Sequence, residues 1–210
     1  VEFILVDQSD TKEEQSFPFH ERLKLIHIRN VSKGLSLNRN IGLLNVTGDW
    51  VMFLDSDCII ADDYFKNFLT LNNLYPDVEH FLGKIVVSDS NLPLFRKWPS
   101  MEFKTQRWMM WYLATSVNSI FINKKDGIKF DESFGLGAQY GSCEDIDYHL
   151  RMPRVHFYSH KLVVLHPYVD FNNVEMEKLN SYSYGYGALC AKHIFPFGFF
   201  MLIASFLKKI

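Results

Sequence analysis

The sequence predicts an α/β domain with a largely parallel central sheet. Apolar runs of strand length alternate with stretches of helical periodicity along most of the chain. The run at residues 51–60, VMFLDSDCII, passes from continuous apolar residues into two carboxylates, as a strand buried on both faces does at its functional end. With 210 residues, 48% hydrophobic and 22% charged, the chain has enough apolar surface for one ordinary domain core.

Taken in order, residues 3–6 are apolar and partly β-branched, end at Asp7 and give way to a polar stretch at 8–15, a strand followed by a loop. Residues 23–28 alternate apolar and polar side chains, a second short strand, with turn residues at 30–34. Residues 36–46 read as helix: Leu37, Ile41, Leu44 and Val46 recur on one face, Asn38, Arg39 and Asn40 occupy the first turns, and Thr47, Gly48 and Asp49 end it. Residues 50–54 are the expected central strand. A second helix at 61–75 stops before Pro76, with Asp62 and Asp63 suited to the positive end of its dipole.

Further on, residues 80–87 read as a strand and 88–99 as a polar, proline-marked connection. A helix is expected at 101–112, with Trp98, Trp108, Trp111 and Tyr112 in or near it, either packing or stacking on a sugar. Residues 117–122 alternate as a strand and 126–127 suit a turn. Gly135, Gly137 and Gly141 make a flexible loop that runs into Glu144, Asp145 and Asp147 at a helix start, and 162–165 form a final buried strand leading to His166 and Pro167.

The chemistry is expected at Asp55 and Asp57. On extended backbone, side chains two residues apart point the same way, so the pair shares one divalent cation or divides between a metal and a sugar hydroxyl. The plain alternative is a polar strand end followed by a solvated turn. Asp7, ending the first strand, falls on the same rim as Asp55.

Composition excludes several classes. A formal charge of −2, a pI near 6.5 and scattered Lys and Arg give no footprint for nucleic acid. Cys58, Cys143 and Cys190 are odd in number and widely spaced, which suggests neither a disulfide framework nor a zinc site and fits a reducing cytoplasm. The chain opens at full stride on an apolar run without methionine or signal pattern, as an interior fragment would. Residues 195–207 are almost wholly apolar and precede Lys208 and Lys209; short of the roughly 20 residues that span a bilayer, they form an interfacial anchor on a membrane surface, a truncated span or plain core.

The order and spacing of FILVDQSD, NVSKGLSLNRNIGLLNVTGDWVMFLDSDCII, FDESFGLGAQYGSCEDIDYHLR and LVVLHP resemble the family-2 glycosyltransferases of the GT-A fold, from residue 1 to about residue 166. The resemblance implies a Rossmann-like three-layer sandwich at 1–170, lacking the family's first strand and helix, a unit of roughly 30 residues. Residues 171–210 are then a carboxyl-terminal extension. It implies an inverting transfer from a nucleotide-sugar, most commonly a uridine diphosphate sugar, to a glycan or lipid-linked acceptor. The apolar end and a general resemblance to bacterial surface-polysaccharide enzymes suggest such an acceptor, with the enzyme in the cytoplasm or peripheral on the inner face of the plasma membrane.

Carried over residue by residue, Asp7 and Arg39 bind the nucleotide, Asp55 the ribose and Asp57 the cation on the donor diphosphate. Of the Glu-Asp pair, Asp145 is the general base and Glu144 binds the acceptor. Oxygen ligands suit Mg²⁺ or Mn²⁺, and His166, if it joins Asp57, tilts the choice to Mn²⁺; otherwise His166 simply closes a buried strand. Two alternatives stand beside this reading. One is a haloacid-dehalogenase-type phosphatase with Asp55 as nucleophile, although such enzymes place the motif on their first strand. The other is a non-catalytic nucleotide-sugar-binding relative.

Overall fold

A computed structural model of the chain describes residues 1–10, 21–124, 127–170, 173–193, 198, 200 and 203. The chain divides into two compact units, one of residues 1–49, 125–144 and 180–210, the other of 50–124 and 145–179.

In the first unit, β1 (Glu2–Asp7) pairs in parallel with β2 (Lys24–Arg29), from Glu2 opposite Lys24 to Asp7 opposite Arg29. Helix α1 (Leu35–Asn45) follows. The face it buries is not the apolar one: Ser36, Asn38, Arg39 and Asn40 are buried while Leu44 is 72% exposed. Burial of polar groups is tolerable only when each finds a partner, and these do. Asn40 Nδ2 donates to the Phe130 carbonyl at 3.0 Å and to Glu132 at 2.9 Å, its Oδ1 accepts from the Phe130 amide at 2.7 Å, and Ser36 Oγ donates to the Phe134 carbonyl.

The glycine loop is correspondingly built rather than loose. Gly135, at φ 100°, lies where a Cβ would stand 3.0 Å from Ser36 Oγ and 3.2 Å from Glu144 Cγ. Its position therefore excludes a side chain both by backbone conformation and by space. Helix α5 (Met176–Lys192), which the sequence did not announce, reaches this loop from residue 180 onward: Lys192 Nζ meets Asp131 Oδ2 at 2.6 Å and Ser142 Oγ donates to the Tyr182 carbonyl at 3.1 Å.

The second unit holds β3 (Trp50–Met52), β4 (Ile59–Ile60), α2 (Tyr64–Leu74), β5 (His80–Val87), β6 (Phe103–Thr105), α3 (Met110–Leu113) and β7 (Ser119–Ile122). It also holds β8 (His156–His166) and α4 (Glu144–Arg151) from its second residue on. The sheet runs β3-β7-β5-β8-β4, with β6 also on β8. Among its described residues only β5 and β8 pair in parallel; β3 with β7, β5 with β7, β4 with β8 and β6 with β8 are antiparallel. The expected largely parallel sheet is therefore a mixed one, and β3 sits at an end of this order rather than at its centre. The expected helix at 101–112 is β6, a 3-10 turn at Arg107–Met109 and the short α3.

Aromatic packing fills the core of this unit. Trp50 meets Phe68 edge-on at 5.0 Å, Phe68 meets Phe81 at 5.6 Å, and Phe157 lies beyond Phe81 at 6.1 Å. Trp111 is buried and Trp98 donates its Nε1 hydrogen to the Leu94 carbonyl, so both pack, whereas Trp108 is exposed. Gly83 marks the register shift between β5 and β8, because any Cβ there would fall 2.1 Å from the Leu162 carbonyl oxygen. The same core buries three imidazoles. His80 Nδ1 and His156 Nδ1 lie 2.7 Å apart, the His149 ring stacks on His80 at 4.8 Å, and His149 Nε2 is 3.1 Å from Ser119 Oγ. Burial first, and the neighbouring imidazoles and Arg154 next, hold His80 well below the usual histidine range; burial with Arg154 and Arg107 pushes His156 down to about 4.

Candidate functional site

Asp7 caps the carboxyl end of β1. Its Oδ1 accepts the Ser9 amide at 2.8 Å, and its Oδ2 lies 3.3 Å from His27 Nε2 and 3.7 Å from Arg29 Nε. Hydrogen bonds from Ser9, then His27 and the charge of Arg29, hold the carboxyl below the ordinary aspartate range. Asp7 is thus kept as an anion at a strand end, able to accept from a base or sugar.

Arg39 projects from the polar face of α1, and its Nη1 donates to Glu144 Oε1 at 2.8 Å. Both side chains are about nine-tenths buried. Two residues assigned separate roles from the sequence are therefore one ion pair, and Glu144 is a carboxylate neutralised by contact. Cys143, at φ 70°, makes the left-handed turn from which α4 begins. Asp145, the next carboxylate, accepts the Ile146 amide at 2.8 Å through Oδ1.

Asp55 and Asp57 do not lie on extended backbone. Strand β3 ends at Met52, and the Cys58 amide donates to the Asp55 carbonyl at 3.0 Å, closing a turn in which Asp55, Ser56 and Asp57 are all exposed. The alternation that would aim both carboxylates the same way is absent, and among the described residues the donor cluster formed here omits Asp55. It consists of Asp57, Cys58 and His166, with one ligand atom of each within 4.8 Å of the others.

His166 enters from the last residue of β8, which β4 joins to this turn through Ile59 opposite Leu165. Its Nδ1 lies 2.7 Å from the Pro167 carbonyl, to which it donates, so that Nε2 is the nitrogen turned toward Asp57. Nε2 stands 3.7 Å from Asp57 Oδ2. An oxygen and an imidazole nitrogen brought together in this way are donors that a divalent cation can take. Burial, with Asp55 and Asp57 beside it, pushes the Cys58 thiol up to about 12.

Cys58 was invisible to reasoning about cysteine spacing; its adjacency to Asp57 was the available signal. Two more residues near these groups had no sequence signal. At Leu94–Arg96 the Arg96 amide donates to the Leu94 carbonyl at 2.8 Å around Phe95 at φ 65°, a strained γ-turn. The turn sets the Phe95 ring edge-on to His166 at 5.5 Å and lays Arg96 over Trp98 and Tyr112 at 5.0 and 5.5 Å, within electrostatic reach of Asp145.

The sequence profile described as Glycosyl transferase family 2 matches residues 1–128. No curated protein matches the chain. Among solved structures, S. aureus TarS 1–349 is similar at a TM-score of 0.61 and 14% identity, over 91% of this chain and 56% of that one. The same protein in complex with UDP-GlcNAc is similar at a TM-score of 0.52 and 14% identity, over 82% of this chain and 50% of that one. In complex with UDP it is similar at a TM-score of 0.52 and 16% identity, over 82% and 49%. The chain thus spans about half the length of these structures, and at such identities the likeness is one of fold.

Proposed function

This chain belongs to glycosyl transferase family 2 and has the α/β GT-A fold, and on that premise we propose that it transfers a sugar, with inversion, from a uridine diphosphate sugar to a glycan or lipid-linked acceptor. The phosphatase reading of Asp55 falls with the family match, which runs through that residue as an interior position. The observation that carries the proposal is the meeting of Asp57 and His166 in one donor cluster next to the Asp-x-Asp turn. The UDP and UDP-GlcNAc complexes of TarS support the donor class.

Asp57 and His166 would hold the cation, Mn²⁺ or Mg²⁺, and when bound it supplies stabilisation of the charge developing on the diphosphate leaving group. Asp7 and Arg39 act on the nucleotide and Asp55 on its ribose. Asp145 takes the proton from the acceptor hydroxyl as that oxygen attacks the anomeric carbon from the face opposite the diphosphate. The base is assigned to Asp145, as the resemblance to the family implies, while Glu144 stands in its buried pair with Arg39. Glu144 meets acceptor hydroxyls from within its pair with Arg39. Residues 195–207, expected to bind a membrane surface, lie outside the described residues except for Gly198, Phe200 and Ile203; among the described residues no helix is long and apolar enough to cross a membrane.

The test is UDP release from UDP-sugars by the full-length protein with Mn²⁺, with and without acceptor. Asp145→Asn should lose transfer by about 10²–10⁴-fold while UDP affinity changes little. Glu144→Gln should raise the acceptor KM more than it lowers kcat. Near-normal turnover in Asp145→Asn refutes the assignment of the base, and no turnover of any UDP-sugar by the unaltered protein makes it a non-catalytic relative.

A further inference from the structure

We infer that Cys58 makes the Asp57–His166 pair a mixed oxygen, sulfur and nitrogen site that holds thiophilic dications, Zn²⁺ or Co²⁺, through three protein donors. The inference rests on reading Asp57 and His166 as metal ligands, and adds to it both a ligand and a metal class.

The geometry comes first. Around a tetrahedral ion with bonds of about 2.0–2.3 Å, oxygen, nitrogen and sulfur donors stand about 3.3–3.5 Å from one another. Asp57 Oδ2 and His166 Nε2 are already 3.7 Å apart. All three ligand atoms lie within 4.8 Å, so the third donor needs to close by no more than about 1.5 Å to complete a tetrahedral edge. The Pro167 carbonyl and the Phe95 ring hold the imidazole in the orientation that aims Nε2 at this point.

Burial makes the site one-sided. Cys58 is 8% exposed and the His166 side chain 14%, whereas the Asp57 side chain is 53% exposed. Sulfur and nitrogen would hold an ion from the buried side and the carboxylate from the solvent side, with water or a phosphate oxygen able to complete its shell.

Donor chemistry then separates the metals. Mg²⁺ and Mn²⁺ favour oxygen-rich, octahedral surroundings and gain little from a thiol, so they bind through Asp57 and His166 with water or substrate oxygens. Zn²⁺ and Co²⁺ take sulfur readily and accept four-coordination. On their binding the Cys58 S–H bond is replaced by a sulfur–metal bond and the proton passes to solvent. The turn thus has two metal modes, one without sulfur and one with it.

Co²⁺ titration of the full-length protein distinguishes them. Binding should produce a near-ultraviolet sulfur-to-cobalt charge-transfer band, displaced by Zn²⁺. Cys58→Ser, close to isosteric, should lose the band and weaken Zn²⁺ at least about tenfold, while the Mn²⁺ dissociation constant, read by electron paramagnetic resonance, moves by less than about twofold. Co²⁺ bound by the unaltered protein without the band overturns the role of Cys58 and leaves Asp57 and His166 as ligands. A band that survives Cys58→Ser assigns the sulfur to another cysteine and overturns the inference. Failure of Mn²⁺, Co²⁺ and Zn²⁺ all to bind removes the metal reading itself.

Discussion

Acid should unfold the second unit at a pH where carboxylates are still ionised, through His80 and His156. Both are buried among aromatic rings, with Arg154 and Arg107 adding positive charge and Glu79 the opposing negative one. A histidine whose folded value is depressed stays neutral in the native state but takes a proton in the unfolded chain below about 6.5. Its stabilising contribution is therefore complete above that value and is lost as pH falls toward the folded one.

For His156, pushed down to about 4, the window runs from 6.5 to about 4. The loss is about 1.4 kcal/mol per pH unit and about 3 kcal/mol in all. His80 shifts in the same direction, so the two together remove about 2.7 kcal/mol per pH unit while both remain neutral in the native state. The carboxylates act lower. Asp131, held to about 2 against the opposing effect of burial by Lys192 and Ser133, loses its contribution only as pH falls below the ordinary 3.8.

The assay is urea unfolding at pH 7.5, 6.0, 5.5 and 5.0, followed by tryptophan fluorescence. Trp50, Trp98, Trp108 and Trp111 all lie in the same unit as the histidines. His156→Gln keeps an amide to face His80 Nδ1 and removes one titrating group. Whatever constant offset it introduces, the slope of stability against pH below 6.5 should fall by about 1.4 kcal/mol per unit. Equal slopes for the unaltered protein and the variant, or no loss of stability between pH 7.5 and 5.0, refute the reasoning.

Breaking the buried Arg39–Glu144 pair with Arg39→Met should cost about 3–5 kcal/mol of stability because the Glu144 carboxylate is left without its guanidinium; the double variant with Glu144→Gln should recover most of it, measured by a denaturant double-mutant cycle. Gly83→Ala should destabilise by about 3 kcal/mol or more, since the new methyl meets the Leu162 carbonyl across β5 and β8; a midpoint within error of the parent's would show that the strands separate cheaply there. Chelation should abolish sugar transfer and Mn²⁺ restore it, and Asp57→Ala should lose metal-dependent UDP binding by calorimetry; UDP affinity indifferent to chelator would remove Asp57 from the donor site.

Several elements were determined locally and were legible as such. The apolar strings ending in Asp7 and in Val87, the alternation of residues 23–28 and the acidic start of α4 each state their conformation through a period or a cap, and the structure forms β1, β5, β2 and α4 there. The order of these pieces also sufficed for the family, because motif order survives when pairing is unknown.

What the chain could not announce are the properties that belong to contacts between distant residues. Residues 101–112 have helical composition, yet Phe103–Thr105 form β6 because β8 offers an open edge to pair with. The continuous apolar runs that suggested parallel pairing describe only burial on two faces, and antiparallel neighbours satisfy that equally. In α1 the apolar side chains carry the helical period, but the polar face is the buried one, since Phe130, Glu132 and Phe134 supply hydrogen bonds from about ninety residues away. The same holds at the candidate site. Asp55 and Asp57 are nearly adjacent in sequence, but a turn parts them; Cys58 and His166 join Asp57 because β4 pairs with β8. Periodicity encodes which face a residue takes, whereas a donor set is decided by which strand edges meet, and that follows from packing of the whole sheet.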